Sequence, residues 1–110
     1  MVAVILDGQA VADRMRAAIA EESRAFAAQH GYPPGLGVVL AGDDPASAQY
    51  VRMKRRACEA AGMASFASLL PANSTQDEVE AAVRALNDDP LVHGILVQLP
   101  LPRQIDEEAI

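Results

Sequence analysis

Four short apolar runs alternate with three stretches of helical periodicity, and this alternation restricts what the chain can fold into. The runs are Val2 to Leu6, Leu36 to Ala41, Met63 to Leu70 and Val92 to Leu99. Each is of strand length and is bounded by glycine, proline, asparagine or aspartate. Between the first two, Val11, Met15, Ile19, Glu22 and Phe26 recur at near-helical spacing over Gln9 to Gln29, so all but Glu22 can form one apolar stripe. Asp7 can cap that helix, and His30-Gly31 followed by Pro33-Pro34-Gly35 ends it. A second helix is expected from Pro45 to about Ala61, capped by Asp44 and stopped at Gly62. A third starts after Ser74 or Thr75, where Thr75 and Glu78 form a T-x-x-E capping box, and runs through Asn87. Asp106 to Ile110 reads as the opening of a further helix. Near-continuous apolar strands separated by helices predict an α/β fold: an open, mainly parallel sheet, β-α-β-α-β-α-β, covered on both faces.

The chain has 110 residues, enough for one domain spanning 1–110 and too few for two ordinary ones. Fifteen acidic residues against nine basic ones give a formal net charge of -6, which argues against a general nucleic-acid binder. Cys58 is the only cysteine, so an intramolecular disulfide is excluded and a reduced, cytoplasmic setting is expected. The apolar start lacks a positive n-region and reads as a strand rather than a signal peptide. No run is long enough to cross a bilayer, so no membrane partner is expected. One cysteine and two scattered histidines, His30 and His93, offer no metal cluster.

Two segments carry chemistry. Tyr50 and Lys54 lie four apart on the second helix and so share a face. A ring that can stack and an ammonium that can move a proton are tools for holding a flat heterocycle. From spacing alone the plainer reading, a tyrosine packed along its helix and a solvated lysine, comes first. Gln98 interrupts the last apolar run, and a buried amide needs partners for both its ends, from local backbone, from a ligand or from Lys54. Leu99-Pro100-Leu101-Pro102 is stiff and could wall a pocket. Both segments fall at strand ends, where open α/β sheets place their sites. Ser47, in the turn into the second helix, is read as capping first and ligand contact second. Arg52, Arg55 and Arg56 beside Lys54 read as a solvated helix face, with steering of an anionic substrate as the alternative. No GxGxxG or GxxxxGK[ST] fingerprint occurs.

Taken in order, Ile5-Leu6-Asp7-Gly8, Pro34-Gly35-Leu36, Gly42-Asp43-Asp44-Pro45-Ala46-Ser47, Tyr50-Val51-x-x-Lys54, Asn87-x-Asp89 and Gly94-Ile95-Leu96-Val97-Gln98-Leu99-Pro100-Leu101-Pro102 resemble the N-terminal part of the bifunctional methylenetetrahydrofolate dehydrogenase/cyclohydrolase family, the FolD type. The resemblance covers almost the whole chain. It implies oxidation of 5,10-methylenetetrahydrofolate with NADP, then hydrolysis of the methenyl product to 10-formyltetrahydrofolate. It implies that Lys54 is catalytic, with Gln98 tuning it and Tyr50 stacking on the folate. Ser47, Val51, Leu99 and Pro100 would complete the folate cleft. A homodimer is implied as well. Gln9 stands where the family often has lysine. The family continues into an Asp-Val-Asp-Gly segment, a Rossmann-type NADP domain and a helix that returns to the first lobe. None of these is in this sequence, so no cofactor-binding residue is expected here and the chain alone is expected to lack dehydrogenase activity. The alternative is a non-catalytic folate-binding or assembly module that keeps the fold.

Overall fold

A computed structural model describes residues 2–110. In chain order its elements are α1 (Gly8–His30), β1 (Gly35–Ala41), α2 (Pro45–Ala60), β2 (Ala64–Leu70), α3 (Gln76–Asp88), β3 (Gly94–Val97) and a 3-10 turn (Glu107–Ala109). The strands form one parallel sheet in the order β2-β1-β3.

The caps follow from side-chain chemistry. Asp7, Asp44 and Thr75 each accept a backbone N–H from the first turn of the helix that follows. Gly31 closes α1 in the left-handed conformation, φ 81°, which a residue with a Cβ rarely adopts. Of the capping box, the Thr75 half is formed, with Glu78 N donating to Thr75 Oγ1 at 3.2 Å.

β1 is the central strand and is buried along its length, apart from a half-buried Leu36. Side chains alternate across it. Val38 and Leu40 pack with Val51 of α2 on one face. On the other face Ala41 joins Val79 of α3, with Leu101 and Ile105 from the C-terminal segment, and Gly37 lets α3 come close through Leu86. α1 lies on the α2 side, where Arg16 and Ile19 line an apolar groove with Leu36, Ala57, Cys58, Ala61 and Met63. The fold is therefore α/β, with a parallel sheet between helical layers, as the sequence pattern predicts.

Three expectations are corrected. The run Val2 to Leu6 forms no strand: it lies outside the sheet with Val2 89% and Leu6 93% exposed, and the observed order is α-β-α-β-α-β. Apolar side chains suit a strand, but a strand exists only where another edge takes its N–H and C=O groups. The stripe on α1 is likewise only partly used. Val11, Met15 and Ile19 stay exposed, and the one fully buried residue of α1 is Ser23. Ser23 sits against Gly62, where an added Cβ would lie 3.9 Å from the Ser23 Cβ. The C-terminal end of α1 is held instead by Phe26, whose ring meets His30, Tyr32 and His93. The last segment, expected to open a helix, makes a single 3-10 turn capped by Asp106. Among the described residues no helix is long and apolar enough to cross a membrane.

Candidate functional site

The C-terminal ends of β1 and β3 lie side by side because Val39 pairs with Val97. Gln98 extends the ladder by one bond, donating its backbone N–H to Val39 O at 2.9 Å. From β1 the chain turns through Gly42, Asp43 and Asp44 into α2, which packs on β1 and β2. This juxtaposition brings Lys54 to Gln98. Lys54 Nζ donates to Gln98 Oε1 at 2.6 Å, across 44 residues of sequence. Gln98 Nε2 donates in turn to Leu99 O at 3.2 Å. An ammonium can only donate, so the amide oxygen must face Lys54 and the amide nitrogen the backbone carbonyl. Both side chains are half-buried, protected from full hydration yet open on one side.

Exposed apolar residues flank this pair in the chain. Tyr50 is 55%, Met53 54% and Leu99 54% exposed, and Pro100, whose bond to Leu99 is cis, is exposed with them. A cleft of about 200 Å³ continues the surface between Ala41–Asp44 and Pro100–Pro102. A larger depression of about 480 Å³, bounded by Ile5–Gly8 and the start of α1, lies away from the pair.

Ser47 and Val51, expected as ligand contacts, are both buried. Ser47 is 2% exposed and its Oγ donates to Asp44 Oδ2 at 2.8 Å, so its hydroxyl is spent on the cap. Val51 is 3% exposed and packs under β1. The Ser47 hydroxyl, then its backbone N–H, hold the Asp44 carboxyl below the usual carboxylate range. Arg55 turns from the site toward β2, its Nε donating to Ser65 Oγ at 3.3 Å, while Arg52 and Arg56 are exposed. Cys58 is buried, and burial first, then the neighbouring Glu59 charge, push its thiol up.

The prolines alone do not fix the wall of the site. Leu101 N donates to Glu107 Oε1 at 3.0 Å. Gln104 Nε2 donates to Ala72 O at 2.8 Å and to Ser74 O at 2.9 Å. Gln76 and Asp106 exchange two bonds. Sequence reasoning missed this set. Most of these contacts join segments some thirty residues apart, and polar residues in loops carry no periodic signal.

The fold is that of an α/β protein with a lysine paired to an amide, an exposed tyrosine one turn before it and a proline-rich wall at the C-terminal edge of a parallel sheet. Residues 6–110 match the family described as tetrahydrofolate dehydrogenase/cyclohydrolase, catalytic domain, and the chain belongs to that family. The bifunctional protein FolD of Nitrobacter winogradskyi is 54% identical over 110 residues, which are 100% of this chain and 37% of that protein. The crystal structure of the bifunctional FolD dehydrogenase/cyclohydrolase from Campylobacter jejuni superposes with a TM-score of 0.91 at 42% identity, covering 97% of this chain and 38% of that one. The Trypanosoma brucei enzyme, solved with NADP cofactor and an inhibitor, gives 0.89 at 42% identity, covering 97% of this chain and 36% of that one. The chain thus spans little more than a third of the length of these relatives.

The residues described here do not fit NADP. The turn from β1 into α2 presents Asp43 and Asp44, and Asp44 already accepts the Ser47 amide that a phosphate would need. The turn into α3 is followed by Asp77 and Glu78 in the first helical turn. Negative charge at both helix starts opposes a pyrophosphate.

Proposed function

We propose that this chain is the folate-handling catalytic domain, residues 1–110, of a methylenetetrahydrofolate dehydrogenase/cyclohydrolase. The observation that carries the reading is the Lys54–Gln98 hydrogen bond of 2.6 Å beside the exposed Tyr50 ring. Tyr50 offers the face on which the pterin stacks, with Leu99 and Pro100 as the opposite wall. Ser47 and Val51 support this surface from beneath. In the hydrolytic step a water oxygen bonds to the methenyl carbon and the bond from that carbon to N5 breaks, leaving the formyl group on N10. Of the water's two protons, one ends on N5 and the other leaves to solvent. Lys54 Nζ is the group placed to move them, and Gln98 fixes where Nζ sits. The oxidative step needs a nucleotide site that these residues do not provide, so the chain by itself should not catalyse it. A homodimer in the cytoplasm is the assembly and setting we assign to the longer enzyme.

Calorimetry with a folate analogue and spectroscopic hydrolysis of 5,10-methenyltetrahydrofolate test this on the full chain. Saturable binding is expected, weakened about tenfold in Tyr50→Ala, a loss comparable with one aromatic stacking contact. Any hydrolysis above the uncatalysed rate should disappear in Lys54→Ala. Turnover indifferent to Lys54 would sink its role. No binding together with a stable oligomer would favour an assembly module, for which the exposed Val11, Met15 and Ile19 stripe is suited.

A further inference from the structure

Gln98 holds Lys54 only as firmly as the backbone beyond it is held. β3 ends at Val97, and after the Gln98 amide the chain leaves the ladder. The carbonyl that fixes the Gln98 side chain belongs to Leu99, which is itself 54% exposed. Two residues later Leu101 returns to the core at 8% exposure, and its backbone N–H meets the Glu107 carboxylate at 3.0 Å. Glu107 is held in place by the turn around it. Asp106 N donates to Gln76 Oε1 at 2.7 Å, and Gln76 Nε2 donates to Asp106 O at 3.3 Å, which clasps the turn to the start of α3.

A series of three hydrogen bonds, joined through the covalent backbone of Leu99–Leu101, therefore runs from the Glu107 carboxylate to the Lys54 ammonium. From it we propose that Glu107 is a positioning residue for the Lys54–Gln98 pair. Its carboxylate locks the Leu99–Leu101 wall so that the Gln98 amide is held with its oxygen toward Lys54. A glutamine side chain has three torsions to fix, and the bond from Nε2 to a stationary carbonyl is what selects one orientation. Glu107 touches neither Gln98 nor Lys54 and acts through the wall. The functional meaning of the proposal rests on the reading above that the pair handles protons, whereas its structural content does not.

The test uses the full chain labelled with 15N, following the Gln98 side-chain amide resonances and, separately, calorimetric binding of 5,10-methenyltetrahydrofolate. Glu107→Gln keeps an acceptor oxygen at the same reach and should leave both readouts unchanged. Glu107→Asp keeps the charge but falls short of the Leu101 amide. It should move the Gln98 resonances and weaken binding about tenfold, the factor for one lost hydrogen bond of about 1.4 kcal/mol. Glu107→Ala should do the same, and if it does not fold the Asp variant decides. Glu108→Ala, one residue along and exposed, should do neither. Gln98 resonances unmoved in the Asp variant would overturn the proposal. So would the reverse pattern, with Asp native-like and Gln perturbed, because charge rather than positioning would then be at work. If Gln98 responds as expected but wild type binds no folate, the positioning stands and the folate reading falls. If folate binds and Gln98 does not respond, the positioning falls alone.

Discussion

Replacing Gly35 by alanine should unfold this protein well below its normal midpoint, although the change adds only a methyl group. Gly35 opens β1 where the loop before β3 crosses it. An ideal Cβ there would sit 2.0 Å from Leu91 O and 2.9 Å from Phe66 Cε2. An ordinary carbon–oxygen contact is about 3.3 Å, so the two backbones must separate by about 1.3 Å. Gly35 N donates to His93 Nδ1 at 2.9 Å and Gly35 O accepts from His93 N at 2.8 Å. Both would lengthen past bonding range. Each lost bond costs about 1 kcal/mol, more where a buried partner is stranded. The gain from removing a glycine from a strand, about 0.5–1 kcal/mol, offsets part of this. Strain from the remaining overlap brings the net loss to about 3 kcal/mol or more. For a chain of this length that is a fall of about 12 °C or more in Tm, or on the order of 1.5 M in urea midpoint. Gly94→Ala is the internal control, since its nearest atom would be Leu36 Cδ1 at a comfortable 3.8 Å. Equilibrium urea unfolding followed by circular dichroism reads both. A Gly35→Ala loss under about 1 kcal/mol, or one no larger than for Gly94→Ala, would refute the claim that the backbones at this crossing leave no room for a Cβ.

Three further outcomes follow from the same structure. Val79 is 0% exposed in the cluster with Ala41, Leu101 and Ile105. Val79→Ala removes two methyl groups and leaves a small cavity, so urea unfolding should show a loss of about 2 kcal/mol. The folded-state pKa of Asp44 is depressed, so its cap stabilises the fold above the unfolded value, about 3.9, and that contribution is lost as pH falls below it. Asp44→Ala should flatten this acid limb of a stability-against-pH curve, and an unchanged slope below about pH 4 would exclude the cap as its source. Cys58, buried and with its thiol pushed up, should react with a thiol reagent at pH 8 at least about tenfold more slowly in the native chain than in denaturant. Equal rates would show that α1 and α2 open readily.

What could be read from the sequence, and what could not, divides by the range of the interaction. Asp7, Asp44 and Thr75 cap their helices because a short polar side chain satisfies an amide two or three residues on, a matter of local stereochemistry. β1 could be read from its apolar run because both of its faces meet helices within the same chain. Val2 to Leu6 looked like a strand by the same criterion and is not one, since pairing is a property of two segments and composition describes one. The stripe on α1 was placed correctly on the helix, but periodicity says which face is apolar and not what covers it. At the site, the helical spacing of Tyr50 and Lys54 put them on one face and left the lysine's partner open. That partner is Gln98, and the parallel register of Val39 with Val97 brings it there. Gln76, Gln104 and Glu107 were invisible for a related reason: each bonds backbone amides or carbonyls, which every sequence supplies equally. The Lys54–Gln98 geometry depends on both kinds of information, because the lysine is placed by a helix the sequence declares and the amide by a wall whose anchors it conceals. A substitution among those anchors, which lie outside the motifs, should therefore disturb the pair more than one in the exposed arginines directly beside Lys54.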